Sequence, residues 1–474
     1  MTVNENKSSN PVDASLRVPL LALFGGAALW LVLGALLALI ASIKFHAPTF
    51  LSGCAWLTYG RVLPAANDAL LYGFCIPAGL GVVLWVFARL SDQSVRGAIV
   101  PVVAANLWHL GVLVGLVGIF IGQTTGFTWI EFPRGGSSLL FFSYLLLAMW
   151  AMMSFTGRKE SGLFPTHWFV IGALLWFPWI YSTANLFLVE WPVRGVAQAV
   201  IGWWFANNLI FIWLSLVGLG LAFYFLAKFS GRPLQTYYVA LFAFWTLILF
   251  GTWLGIPQSA PVPAWLPTAS STAAILFIVP LLAFISIIWK STRKPETCQG
   301  GSFCFVKIGA WAFLISAFML MISSCPHFGR VMDFTWFGVA QTQLHIFGFF
   351  AMILFGAIYH LLPKVMDAEL PFPKFAKLHF WLMLAGVALL VIPLALAGIE
   401  QGTKLADPAV PFATVSDAAL KFLRISTLGL LFIFIGGLLF AANIFVMTLK
   451  WKLALAKSVI AAVKAPLEPS EVKS

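Results

Sequence analysis

Charge is scarce in this chain of 474 residues: 9% are Asp, Glu, Lys or Arg, 61% are hydrophobic, and the mean hydropathy is +0.96. Soluble domains carry roughly 25% charged residues, which excludes a water-soluble class. The opening "MTVNENKSSNPVDASL" lacks the short apolar core and small-residue cleavage site of a removable secretory signal, and reads as a soluble tail. Cysteine is limited to Cys54, Cys75, Cys298, Cys304 and Cys325, none at close metal-ligand spacing, which argues against a zinc or cluster site. Histidine is also rare, with seven in the whole chain. No low-complexity segment and no sequence repeat is evident.

What the chain has in abundance is apolar runs of about 20 residues, each long enough to cross a hydrocarbon core of roughly 30 Å. They predict an all-α, polytopic membrane protein. Twelve helices are expected near 17–43, 65–90, 97–122, 136–156, 166–189, 196–228, 234–256, 268–290, 304–324, 334–362, 376–398 and 424–449. Breaker-rich stretches such as "KFHAPTF", "FPRGG", "PQSAPVPAWLP", "TRKPETCQGGS" and "DAELPFPK" connect them. This divides the chain into a tail over 1–16, a twelve-helix domain over 17–450 and a basic tail over 451–474.

The net charge of +12 follows topology rather than a nucleic-acid surface. With both ends on one side, that side carries 20 of the 28 Lys and Arg, among them Lys7, Arg96, Arg232, Lys294, Lys364 and Lys473. The positive-inside rule then expects both termini in the cytoplasm, and no nucleic-acid partner. Cys298 and Cys304 fall beside a cytoplasmic loop, where thiols stay reduced.

Six stretches carry a resemblance, in order along nearly the whole chain: "LTYGRVLPAANDALLYGF", "GQTTGFTWIEFP", "GWWFANNLIFIW", "GRPLQTYYVALFAFW", "FGAIYHLLPKV" and "LHFWL". The chain resembles the catalytic subunit I of haem–copper oxidases, specifically the cbb-type branch with its related nitric oxide reductases. The resemblance implies twelve core helices. It also implies six histidine ligands for two haems b and a copper, contributed by the second, sixth, seventh and tenth helices.

Laid on the family patterns one by one, none of those positions is a histidine. The second-helix ligand falls on Ala66 in "GRVLPAANDA" and the sixth-helix ligand on Asn207 in "WWFANN". The seventh-helix pair falls on Pro257 and Gln258 in "GIPQ", with Ala243 where some members have a histidine before "FW". The tenth-helix pair falls on Gln341 and Gln343 in "QTQLHIFGF". Ala and Pro side chains cannot bind metal, and the neutral carbonyl oxygen of Asn or Gln suits hard ions better than haem iron or copper. His345 does not replace Gln343, because two residues along a helix is about 200° of rotation.

Of the seven histidines, His46 and His327 are expected in exoplasmic loops and His167 at a cytoplasmic helix end. His360 and His379 match non-ligand motif positions. His109 and His345 remain as intramembrane candidates, either hydrogen-bonded packing residues or the two ligands of an unconventional haem. The glutamines are expected to hydrogen-bond across helices in a shrunken or water-filled cavity. Asp68 is expected to be solvated at the mouth of the second helix, or else to load protons. Glu131 matches one of two acidic positions in the family's exoplasmic loop, its partner position being Thr128. Tyr237 matches a tyrosine that the cbb-type branch keeps beside its copper histidine.

Three functions follow as expectations. The first is a degenerate subunit I-like component of a respiratory electron-transport complex. It would have no cofactor and a structural or interaction role beside other membrane or cytochrome c-type subunits, with lipid or quinone in the old cavity. The second is an active terminal oxidase or nitric oxide reductase using unconventional ligands. The third is proton or small-solute transport through the emptied cavity.

Overall fold

The computed structural model describes residues 10–94, 97–159, 162–231, 234, 236–293 and 301–464. Residues 1–9 and 465–474 of the two expected tails lie outside the described residues, as do Arg96, Arg232, Lys294 and Cys298. Twelve long helical segments run in chain order, joined by short connections. They are α1 (Pro11–His46), α2 (Tyr59–Ser91), α3 (Ile99–Phe120), α4 (Arg134–Thr156), α5 (Pro165–Glu190) and α6 (Val196–Ser230). There follow α7 (Tyr237–Gly251), α8 (Trp265–Thr292), α9 (Ser302–Ser323), α10 (Trp336–Met366), α11 (Pro373–Leu405) and α12 (Phe412–Lys464). No strand occurs among the described residues.

Eleven of these helices have the length and composition to cross a membrane. The exception is α7, whose 15 residues span only about 22 Å at 1.5 Å per residue. It was expected to run to residue 256, but the backbone turns at Gly255, where φ is +87°.

Three helices form the centre. The apolar stretch of α2 is buried along its whole length, that of α6 is 94% buried and that of α10 is 89% buried, against 39–56% for the other long helices. Each of the three carries a wide π-helical stretch: Ala69–Cys75 in α2, Asn207–Trp213 in α6 and Leu344–Ala351 in α10. Such i→i+5 turns concentrate at functional sites. Buried Trp side chains satisfy their N–H groups on neighbouring helices. Trp108 donates to the Tyr72 carbonyl at 2.6 Å, and Trp213 donates to the Ala173 carbonyl at 3.1 Å.

Both end segments differ from expectation. α1 begins at Pro11, where proline is tolerated at N1, and Asn10 Oδ1 caps the Val12 N–H at 3.0 Å. Asp13, expected in a solvated tail, is buried: it accepts from Trp85 Nε1 and from Arg89 Nη2, both at 2.9 Å. α12 runs on to Lys464 because no proline interrupts its sequence.

Candidate functional site

The glutamine-rich turn of α10 faces two separate cavities. One, of about 300 Å³, lies between α6, α10 and the segment after α7, and is lined by Asn207, Gln341, Pro257, Trp129, Phe211 and Asp333. Asn207 already spends its amide on the Gly251 carbonyl, Nδ2 to O 3.0 Å. Gly255 lies against it so closely that a Cβ there would sit 2.8 Å from the Asn207 Cβ. Gln258 turns away toward α8, with Nε2 3.2 Å from the Pro267 carbonyl and Oε1 accepting from Ser271 Oγ at 2.8 Å.

The second cavity, about 80 Å³, is lined by Gln343, Asn67, Tyr59, Trp336 and Ser426. Ala66 is fully buried within the apolar core. Neither Gln341 nor Gln343 makes a side-chain hydrogen bond to another described residue. The hydrogen bonds expected across helices are not made between described residues, and both side chains open onto cavities. The two cavities are distinct because residues two apart on a helix diverge by about 200°.

The two intramembrane histidines do not meet. His109 packs on α1, where its Nδ1 accepts from Trp30 Nε1 at 3.2 Å. Its ring lies so close to Gly26 that a Cβ there would be 2.3 Å from Nε2. His345 sits between α6 and α9, with Nε2 3.3 Å from Ser215 Oγ and Nδ1 2.6 Å from Ser316 Oγ. A haem held between His109 and His345 is corrected by this placement. His46 is likewise not a loop residue: it ends α1 and bonds Thr427 Oγ1 at 3.1 Å. His327 belongs to the short helix Pro326–Met332.

Asp68 is not solvated. It is completely buried, because α2 begins at Tyr59 and places it ten residues into the helix. Its carboxyl group faces that of Glu131, in the connection between α3 and α4. The backbone around Trp129, Ile130 and Glu131 favours the ionised form of the Glu131 carboxyl. Trp129 adopts φ +69°, a left-handed conformation rare for a large side chain. Tyr72 OH holds that turn by donating to the Trp129 carbonyl at 2.5 Å.

Burial raises Glu131 from its ordinary value near 4.5 to about 7, against the opposing pull of the surrounding backbone. Because the folded state binds this proton more tightly than the unfolded chain does, the contribution of Glu131 to stability is fully present below pH 4.5. It declines as pH rises toward about 7, and levels off above that. Glu131→Gln is expected to flatten this slope in thermal unfolding of the purified protein. An unchanged slope in the variant would refute the assignment to Glu131.

Tyr237 lies at the opposite end of α7 from Pro257. There it accepts from Trp168 Nε1 at 3.4 Å and lines a separate cavity of about 630 Å³. Sequence reasoning missed Asp13, Trp85 and Arg89, and it missed Asp333 in the larger cavity. An aspartate directly before an apolar run was the available signal for the first of these.

A bundle of long apolar helices around three buried central ones, each opened by a wide turn, defines a polytopic membrane protein with the haem–copper oxidase fold. A cryo-EM structure of a heme-copper terminal oxidase dimer matches it with a TM-score of 0.71 over 91% of this chain and 84% of that one, at 11% identity. Residues 18–432 match the family "Cytochrome C and Quinol oxidase polypeptide I", and the chain belongs to that family. Among its relatives, a cytochrome c oxidase subunit 1 homolog of Azorhizobium caulinodans is 23% identical, covering 88% of this chain and 80% of that protein. The cbb3-type cytochrome c oxidase subunit CcoN1 of Stutzerimonas stutzeri is 22% identical, covering 88% and 90%.

Proposed function

We propose that this chain is a degenerate subunit I-like protein that serves a respiratory membrane complex as a structural or interaction subunit, without the standard haem and copper sites. The observation that carries this reading is the absence of imidazole from the aligned positions Ala66, Asn207, Pro257, Gln258, Gln341 and Gln343. The residues present do not fit the groups that the family implies. His345 has both ring nitrogens engaged, His109 Nε2 is pressed onto α1, and the space beside Gln343 is only about 80 Å³. On this reading the chain lies in a bacterial inner membrane with both termini cytoplasmic, α7 serving as the twelfth crossing. It associates with other membrane or cytochrome c-type subunits, and lipid or quinone is the expected small-molecule neighbour.

The test is a dithionite-reduced minus oxidised visible spectrum of the purified protein, with haem extraction and copper analysis on the same sample. No Soret band and no stoichiometric copper are expected. A haem band at about one per chain would overturn the proposal, since it requires axial ligands of a suitable type. His109→Ala and His345→Ala would then reveal which imidazole was recruited. A second reading, passage of a proton or small solute, draws support from the cavity of about 300 Å³ lined by Asn207, Gln341 and Asp333. It predicts flux in proteoliposomes without a redox partner.

A further inference from the structure

We infer that Asp68 and Glu131 form a buried carboxyl pair that holds a single exchangeable proton between them, a proton-binding site beneath the turn joining α3 to α4. The inference stands whether or not any haem is bound. Both side chains are buried, at 0% and 6% exposure, in the interior of the bundle. Neither Asp68 oxygen has a hydrogen-bond donor, nor does Glu131 Oε2, and the two carboxyl groups face each other. Two ionised carboxylates so placed would repel each other at low dielectric, each without the hydration that stabilises its charge.

Among the described residues no cation pairs with either carboxyl group. Arg61 on α2 donates Nη1 to the Ala55 carbonyl at 2.9 Å, and Arg134 on α4 pairs with Glu190 of α5 at 3.2 Å. His109 on α3 is engaged with Trp30 of α1, and His345 on α10 with Ser215 and Ser316. The titratable groups facing the pair are two phenols, Tyr72 of α2 and Tyr181 of α5, whose rings lie 6.1 Å apart.

A proton between the two acids resolves the conflict. It converts one carboxylate into a donor for the other, and it leaves one negative charge instead of two. The backbone of residues 129–131 favours the ionised form of Glu131, so the charge rests there. Asp68 then supplies the neutral member, with Glu131 as the acceptor. The pair titrates as a unit, in two macroscopic steps that belong to neither residue alone. The wide turn that begins at Ala69 and the Tyr72 bond to Trp129 hold the two elements in register.

The test is an infrared pH titration of the purified full-length chain in detergent, subtracting Asp68→Asn/Glu131→Gln from the wild type. The difference isolates the pair. Its protonated-carboxyl C=O intensity is expected to fall by half in one step as pH rises through about 7, and the remaining half to persist into alkaline pH. Loss of the full intensity below neutral pH would overturn the inference, because both acids would then be ionised. Return of that intensity after EDTA treatment would identify a bound cation as the cause, and would overturn it equally. Full intensity retained into alkaline pH would also overturn it, as two neutral acids. Should the double variant fail to accumulate, wild type against Glu131→Gln reads the same step, which is expected to vanish in that variant.

Discussion

Gly402→Ala is expected to destabilise the folded chain by about 3 kcal/mol or more, as a severe case of overpacking. A Cβ at Gly402 would lie 1.7 Å from the Val331 carbonyl oxygen, and one at Gly398 would lie 2.1 Å from the Phe337 N. Both obstacles are backbone atoms, so no rotamer change can relieve the clash. α11 would have to move away from the short helix Pro326–Met332 and from the start of α10. Small residues four apart are the usual means by which membrane helices bring their backbones together. Gly25→Ala in α1 is the control, because nothing lies within 4 Å of the Cβ it would add. The check is thermal unfolding and yield in detergent. Equal behaviour of Gly402→Ala and Gly25→Ala would show that the contact between α11 and the short helix Pro326–Met332 is not as tight as described.

Arg89→Ala is expected to cost about 3 kcal/mol, the low end of the range for removing one partner of a buried ion pair, because the Arg89 side chain is itself 26% exposed. Asp13 would keep its Trp85 bond but lose the one salt-bridge partner it has among the described residues, while remaining 3% exposed. The residue carries this weight because it joins α1 to α2, the fully buried helix at the centre. The penalty lies in stranding a charge more than in losing an attraction. Asp13→Leu/Arg89→Met should therefore recover most of the loss, since an apolar pair leaves nothing uncompensated. A double-mutant cycle on unfolding in detergent measures this directly. If the double variant were as unstable as Arg89→Ala, lost packing would be the cause instead.

The residues at the aligned positions bear on how a family label should be used. Membership rests on a match over residues 18–432, and the fold agrees. The chemistry depends on a handful of side chains, and those can change without disturbing the helices that carry them. Asn207 illustrates the point: its amide makes a cross-helix bond to Gly251, which fits a packing residue inside an oxidase-type scaffold.

Much of the fold was legible in the sequence, for a local reason. A lipid-crossing helix must satisfy its own backbone and present about 20 apolar residues, so hydropathy alone located all twelve helical segments. Ordered short motifs identified the family, and the polar interruption "QTQLH" marked α10 as the element to watch. Helix ends were less legible. α1 starts earlier because a buried ion pair holds Asp13, and no stretch of local composition contains Arg89.

The site depended on what the helices bring together. The sequence placed Asp68 and Glu131 as separate polar residues, and only tertiary packing turns them face to face under the strained turn at Trp129. Likewise His109 and His345 looked equivalent by depth and residue type. The structure assigns one to α1 and the other to two serines, on α6 and α9. Hydrophobicity dictates that a segment enters the membrane, because that free energy is summed along the chain. Which side chains then meet is decided by helix rotation and contact, and those are set by partners distant in sequence.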